Sequence, residues 1–348
     1  MSSKIKIFFT GATGYIGGAV TSRLLAHPRT ASFNITALVR TEDKAAKLRP
    51  LGVKTVIGSC SDIDQLENLA SEADILFSTV DCDDLTAMQA NLRGLKRRYE
   101  ATGQRPILIH TSGTGEFVDS DRAAAGTFLY QEPYTDVDIP KIESLPNEAW
   151  HRNVDLEVVK ANADGYVKTY IIMPGAVWGV PTGRVADSGT QHMHSKLLPW
   201  LVQAAIKRSR GGFVGLGKNV WPHVEVNDTA DLYIVLLDSI FSDPHAAASG
   251  REGYYIAENG EYGLYDTAKA IGVAAQGLGL IKDSEPTPFT DEELQAQPKL
   301  AATGTHCRCR ADRSRSIGWA PLKTTADFFA SVKPEVEAVA AASVAVPS

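Results

Sequence analysis

The chain has 348 residues, 44% hydrophobic and 22% charged, with a formal net charge of -6. That length allows two domains of roughly 150 residues each, or one large α/β unit with an appendage, and a core of that size needs no disulfide or metal staple. The acidic balance excludes a strongly basic face, so neither nucleic acid nor an anionic membrane is an expected partner.

The first 180 residues alternate short β-branched runs with helical stretches. "IKIFF" (5–9), "NITALV" (34–39), "VKTVI" (53–57), "DILFST" (74–79), "PILIHT" (106–111) and "KTYIIM" (168–173) read as buried parallel strands. Strand, helix, strand repeated in this way predicts an α/β fold with a doubly wound parallel sheet. Residues 1–175 are therefore read as a dinucleotide-binding Rossmann domain. From Ser112 to about Pro146 the rhythm breaks, and a connection that long after a strand's carboxyl end reads as a lid or binding loop. Residues 176–310, where Gly, Pro and aromatics concentrate, are read mainly as a substrate lobe with segments returning to the sheet. Residues 311–348 are read as C-terminal helices and a fraying alanine-rich tail.

The four cysteines, Cys60, Cys82, Cys307 and Cys309, are too scattered for a secreted framework, and the single-residue spacing of "HCRCR" suits free thiols better than zinc. No metal site is expected. The first strand starts almost at once and no apolar run approaches the ~18 residues of a membrane span, so a cytoplasmic protein without a signal peptide is expected.

"TGATGYIGG" (10–18) follows the first strand and opens a helix. In that setting Gly11 permits a tight turn, Gly14 lets backbone approach a pyrophosphate, and Gly17 lets helix and sheet pack closely. The phosphates would rest on the helix N-terminus, whose unpaired N–H groups favour anions. At the end of the second strand, "ALVRTEDK" offers Arg40 where a carboxylate would select NAD. A guanidinium takes the 2′-phosphate of NADP bidentately, so NADP(H) is the expected cofactor.

These motifs resemble the extended and atypical short-chain dehydrogenase/reductases, a group that includes epimerase/dehydratase-like and NmrA-like proteins. The GxxGxxG spacing is the group's form, "HTSG" (110–113) is similar to its fifth-strand motif, and "IIMPGAVWGVP" (171–181) is similar to the segment flanking the nicotinamide, with Met173 replacing an arginine. "NVWPHVEVNDTADLYIVLL" (219–237) also resembles a segment of the group. The resemblance implies cofactor contacts from Thr13, Tyr15, Ile16, Asp62, Val80, Thr111, Pro174, Gly175 and Val177 besides those above. It implies that Ser112 helps hold the substrate oxygen and that a homodimer is possible.

The departure lies at the family's Tyr-x-x-x-Lys pair. Counting back from Pro174 lands on His151 or Trp150, so His151 and Asp155 of "HRNVD" stand at or near those positions. Four residues apart on a helix, they would share one face. A phenol needs a cation beside it to become acidic, whereas a histidine already titrates near neutral pH and is held as imidazolium by a carboxylate. His151 is thus the candidate proton donor and Asp155 its orienting partner, the alternative being an ordinary polar helix face. Tyr130 and Tyr134 on the long loop are the runner-up acids. Tyr265 and Lys269 have the family spacing but lie too late in the chain, and Lys160 faces another way. His192 and His194 could line a pocket, Trp178, Trp221 and His223 could wall the substrate, and Asn227 or Asp228 would cap a helix. "KRSR" (207–210) is the one basic run in the lobe and suits a helix C-terminus better than a second diphosphate.

The leading expectation is an NADP(H)-dependent oxidoreductase exchanging hydride with a small carbonyl or alcohol metabolite. The alternatives are a redox-neutral epimerase, isomerase or dehydratase, and a non-catalytic NADP sensor of the NmrA-like kind.

Overall fold

A computed structural model of the protein describes residues 4–118, 126–128, 132–243 and 246–344. Its centre is a seven-stranded sheet, made by β1 (Ile5–Thr10), β2 (Phe33–Val39), β3 (Lys54–Ile57), β4 (Ile75–Ser78), β5 (Ile107–Thr111), β6 (Lys168–Pro174) and β7 (Tyr254–Ala257). The spatial order is β7-β6-β5-β4-β1-β2-β3, with every neighbouring pair parallel. β4, β5 and β6 are buried almost throughout, which is why they read as unbroken apolar runs rather than alternating ones. Phe9 of β1 stacks on Phe77 of β4 with ring centroids 5.3 Å apart, joining the two halves across the sheet's centre.

Chain order reverses at β1, which has β2 on one side and β4 on the other. A crevice opens above the carboxyl ends of the strands at such a switch point, where α/β sheets bind ligands. The helix Tyr15–Ala26 starts directly above it. The six strands expected from sequence are all present within a residue or two at each end. The seventh comes from inside the expected substrate lobe, where "YYIA" joins β6 in parallel register.

A second apolar cluster is built by Leu198, Leu201 and Val202, by Leu264, Ala268 and Ile271, and by Phe328, Val332 and Val336. The last three lie on the helix Thr325–Val344, so the C-terminal region is pinned by its apolar face as far as Val339. Trp178 and His223, considered above as substrate walls, are core residues of this lobe. The indole N–H of Trp178 donates to His223 Nδ1 at 3.0 Å, and burial lowers the pKa of His223 to about 4. Trp221 is half-buried and donates to Thr305 O. The helix Val226–Ser242 is capped by Glu225, whose carboxylate accepts from Asn227 N and Asp228 N, and not by Asn227 or Asp228. Asp228 instead accepts from Leu322 N and Lys323 N, tying the C-terminal segment down. No helix among the described residues is long and apolar enough to cross a membrane.

Candidate functional site

The glycine-rich turn is compact because side chains are sterically excluded from it. Gly11 has φ +84°, and a Cβ there would lie 2.6 Å from Thr79 Oγ1; one on Gly17 would lie 2.2 Å from Gly11 O. A Cβ on Gly14 would lie 3.1 Å from Gly11 O, and with Tyr15 and Ile16 this residue is only half-buried. The first helical turn carries no acidic residue and no side-chain cap, so its N–H groups are free to receive an anion. A dinucleotide pyrophosphate therefore fits this turn. Tyr15 turns its hydroxyl away, to Gly179 O at 2.6 Å, and so links the turn to the segment after β6.

Arg40 stands exposed at the end of β2 and makes no ion pair among the described residues. Lys44, on the helix Glu42–Leu48, reaches back with Nζ 3.4 Å from Thr13 Oγ1. No sequence pattern marks this second cation, because only the fold brings residue 44 over residue 13. Asp62 accepts from Ser59 N at 2.7 Å and shapes the turn after β3. Val80 is half-buried after β4. The hydroxyl of Thr111 is 2.6 Å from that of Tyr233, within the core. Pro174 ends β6. Gly175 passes so close to the neighbouring strand that a Cβ would lie 2.6 Å from Pro222 O, and Val177 pairs with Val224.

The corner formed by the ends of β5 and β6 is assembled from three distant segments. His151 precedes the helix Arg152–Ala163 and sits in the left-handed region, at φ 68° and ψ -19°. A non-glycine residue there is strained, and such strain persists where the surroundings over-determine it. His151 and Asp155 do not share a helix face as their spacing predicted, because His151 lies outside the helix with its backbone turned. Its Nδ1 is 2.7 Å from Asp83 Oδ1 and 3.2 Å from Cys82 Sγ, both in the loop after β4. Nε2 lies over the glycines that follow β5, 3.3 Å and 3.1 Å from where a Cβ on Gly113 or Gly115 would sit. It has no hydrogen-bond partner among the described residues.

Asp155 is fully buried, accepts a 2.5 Å hydrogen bond from Ser112 Oγ and faces His110 Nε2 at 3.3 Å. Asp83, which the sequence reading did not single out, is the carboxylate beside His151. Cys82, Asp83 and His151 are also the one group among the described residues whose ligand-type atoms lie close enough for a metal, all within 4.8 Å. Burial and then Asp83 push the Cys82 thiol up to about 12, so without an ion it remains a neutral partner.

Tyr134 lies on a short strand beside Cys309, its ring stacked on Phe117 at 4.6 Å and under Lys141. Tyr130 lies outside the described residues. The described parts of the long connection are packed against the body: Gly126 bonds Gly304 and Lys218, and Asp136 accepts from Ile256 N and Arg313 N. Tyr265 and Lys269 both bond Glu285 on the surface of the second lobe. Lys160 pairs with Asp164, and Arg208 with Glu293. His192 donates its backbone N–H to Thr13 O at 3.0 Å, which places it beside the glycine-rich turn, and His194 faces Glu335.

Comparison with known proteins bears on the fold and on the region of the glycine-rich turn. Residues 11–136 match the NAD(P)H-binding family. The whole chain superposes on a UDP-glucuronic acid 4-epimerase from Bacillus cereus with TM-score 0.63 at 11% identity, covering 96% of this chain and 100% of that one. It does so on a dTDP-glucose 4,6-dehydratase from Bacillus anthracis with TM-score 0.61 at 16% identity, covering 96% of each. The chain thus shares its fold with these two enzymes, and its NAD(P)H-binding match lies in the part that carries the glycine-rich turn. An oxidase, ucsJ, from Acremonium is 29% identical over 337 residues, 91% of this chain and 93% of that protein. A 4-hydroxy-2-methyl-3-oxo-4-farnesyl-3,4-dihydroquinoline-1-oxide ketoreductase from Stigmatella aurantiaca is 25% identical over 208 residues, 57% of this chain and 58% of that one. These two sequence relatives carry redox names, an oxidase and a ketoreductase, whereas the two structures are of an epimerase and a dehydratase.

Proposed function

We propose that the protein is an NADP(H)-dependent oxidoreductase that exchanges hydride with a small carbonyl or alcohol metabolite, using His151 as the proton donor. The observation that carries this reading is the ring of His151, held at Nδ1 by Asp83 while Nε2 is left unpartnered over Gly113 and Gly115. With Nδ1–H donated to the carboxylate, a protonated ring presents its second N–H to a substrate oxygen. This orienting role falls to Asp83 rather than Asp155. Ser112, next to Gly113, supplies a hydroxyl at the same strand end. The bound nicotinamide would supply the hydride, and the chain's own residues place the oxygen, exclude water and deliver the proton.

Gly11, Gly14, Gly17 and the first turn of the helix Tyr15–Ala26 would hold the pyrophosphate, and Arg40 with Lys44 would hold a 2′-phosphate. The oxidase and ketoreductase relatives support redox chemistry over a redox-neutral reaction. The test is direct. Purified protein should bind NADPH at least tenfold more tightly than NADH and consume it with some member of a panel of ketones and quinones. Equal affinities would overturn the NADP assignment, and no hydride transfer in either direction would overturn the oxidoreductase reading.

A further inference from the structure

The loop after β4 brings a thiol and a carboxylate to the same nitrogen of His151. Cys82 Sγ lies 3.2 Å from Nδ1, Asp83 Oδ1 lies 2.7 Å from it, and the three atoms all fall within 4.8 Å of one another. A tetrahedral ion bound to N, O and S at its usual bond lengths holds such atoms about 3.4–3.6 Å apart. The two contacts of Nδ1 are less than an ångström short of that, and Asp83, 60% exposed, has room to withdraw. Two buried carboxylates at the same corner are already engaged: Asp155 accepts from Ser112, and Glu116 accepts from Arg152 Nη1 at 2.9 Å. Asp83 is therefore the acidic ligand on offer. Its charge, with those of Asp155 and Asp81, adds to burial in holding the Cys82 thiol protonated. Carboxylates that oppose a bare thiolate attract a divalent ion, and the ion then takes the place of the thiol proton. A thiolate, an imidazole and one carboxylate suit a borderline ion of the zinc class rather than Mg2+ or Ca2+.

We propose that Cys82, Asp83 and His151 form a binding site for a thiophilic divalent cation, and that an ion bound there switches off the proton donor. The switch rests on the function proposed above; the site does not. Starting from the imidazolium, binding releases two protons to water, one from Nδ1 and one from Cys82 Sγ, and forms the Nδ1–metal and thiolate–metal bonds. The Asp83 carboxylate stops accepting the Nδ1–H hydrogen bond and coordinates the ion. Nε2 then carries the only hydrogen left on the ring. Giving it to an alkoxide would leave a metal-bound imidazolate, so the ring is no longer an acid matched to neutral pH.

Co2+ added at micromolar concentration to the full chain, without NADPH or substrate, reads the site by absorption. A near-ultraviolet thiolate-to-cobalt band should saturate at one ion per chain, disappear when Zn2+ is added, and be unaffected by excess Mg2+. Cys82→Ser should abolish the band, whereas Cys60→Ser, which removes a half-buried thiol outside the cluster, should keep it. His151→Ala and Asp83→Asn should each weaken Co2+ binding at least about tenfold. No band, a band that survives Cys82→Ser, or one that Zn2+ cannot displace overturns the site. In NADPH-dependent reduction, one equivalent of Zn2+ should lower kcat at least about tenfold, the low end for loss of a general acid, and a chelator should restore it. The residual rate of Cys82→Ser should not respond to Zn2+. Zinc that binds without slowing turnover overturns the switch. A cobalt band in a protein that transfers no hydride overturns the functional reading and the switch with it, and leaves the site standing.

Discussion

The glycine-rich turn and the His151 corner stand at the same edge of one sheet but are built differently. The turn is made from nine consecutive residues and acts through backbone N–H groups, with glycines whose Cβ positions are already filled by neighbours. The corner draws on 82–83, 110–116 and 151–155, and acts through side chains whose partners come from other segments. A backbone site tolerates change in most of its side chains and none at its glycines. A side-chain site depends on each partner, so its loss should be steeper and more specific.

The largest effect expected is at the corner. His151→Ala should lower kcat by about 10²–10⁴, the range for a positioned general acid, with NADPH affinity little changed in a fluorescence titration. An unchanged kcat would move the acid elsewhere, and Tyr134 would be examined next. On the cofactor side, Arg40→Ala should weaken NADPH binding about ten- to a hundredfold while NADH binding holds. Lys44→Ala should weaken it further in the same assay; no added loss would remove Lys44 from the phosphate site. Gly17→Ala tests the backbone character of the turn. Its Cβ would meet Gly11 O at 2.2 Å, and overpacking there should cost about 1–3 kcal/mol, read as a lower denaturation midpoint together with weaker NADPH binding.

Asp83→Asn should have a smaller effect, lowering kcat/KM roughly tenfold, because Asp83 is 60% exposed and partly screened. If it has none, Asp83 does not orient the imidazole. The smallest effect concerns pH. The folded-state pKa of Glu116 is raised, to about 8, above its ordinary carboxyl value, so the neutral form is the one the fold favours. Its contribution to stability is complete below the ordinary carboxyl range and is lost as pH rises toward the raised value. The melting temperature of the native protein relative to Glu116→Gln should therefore fall between about pH 5 and about pH 9. A constant difference would mean that Glu116 is ionised throughout.

The strands and the turn were legible because their signals are local: apolar runs for a sheet buried on both faces, and glycines where a Cβ has no room. His151 was legible as a position through its distance from Pro174, but its geometry was not. The i, i+4 rule paired it with Asp155, and it failed because the backbone turns left-handed one residue before the helix begins. Asp83 and Lys44 gave no signal, since nothing in "VDCDD" or "TEDKAAK" marks either as facing a functional neighbour. Nothing in the sequence around Glu116 and Arg152 marks the enclosure that the fold imposes on both.

By itself the sequence determined the doubly wound sheet, the place of its switch point and a backbone cradle for a dinucleotide, because periodicity and glycine spacing act over a few neighbouring residues. Only the tertiary structure decided which carboxylate serves His151 and which lies buried under Ser112. Burial and charge are set by segments far apart in the chain, and a titratable side chain takes its chemistry from the neighbours that folding brings to it.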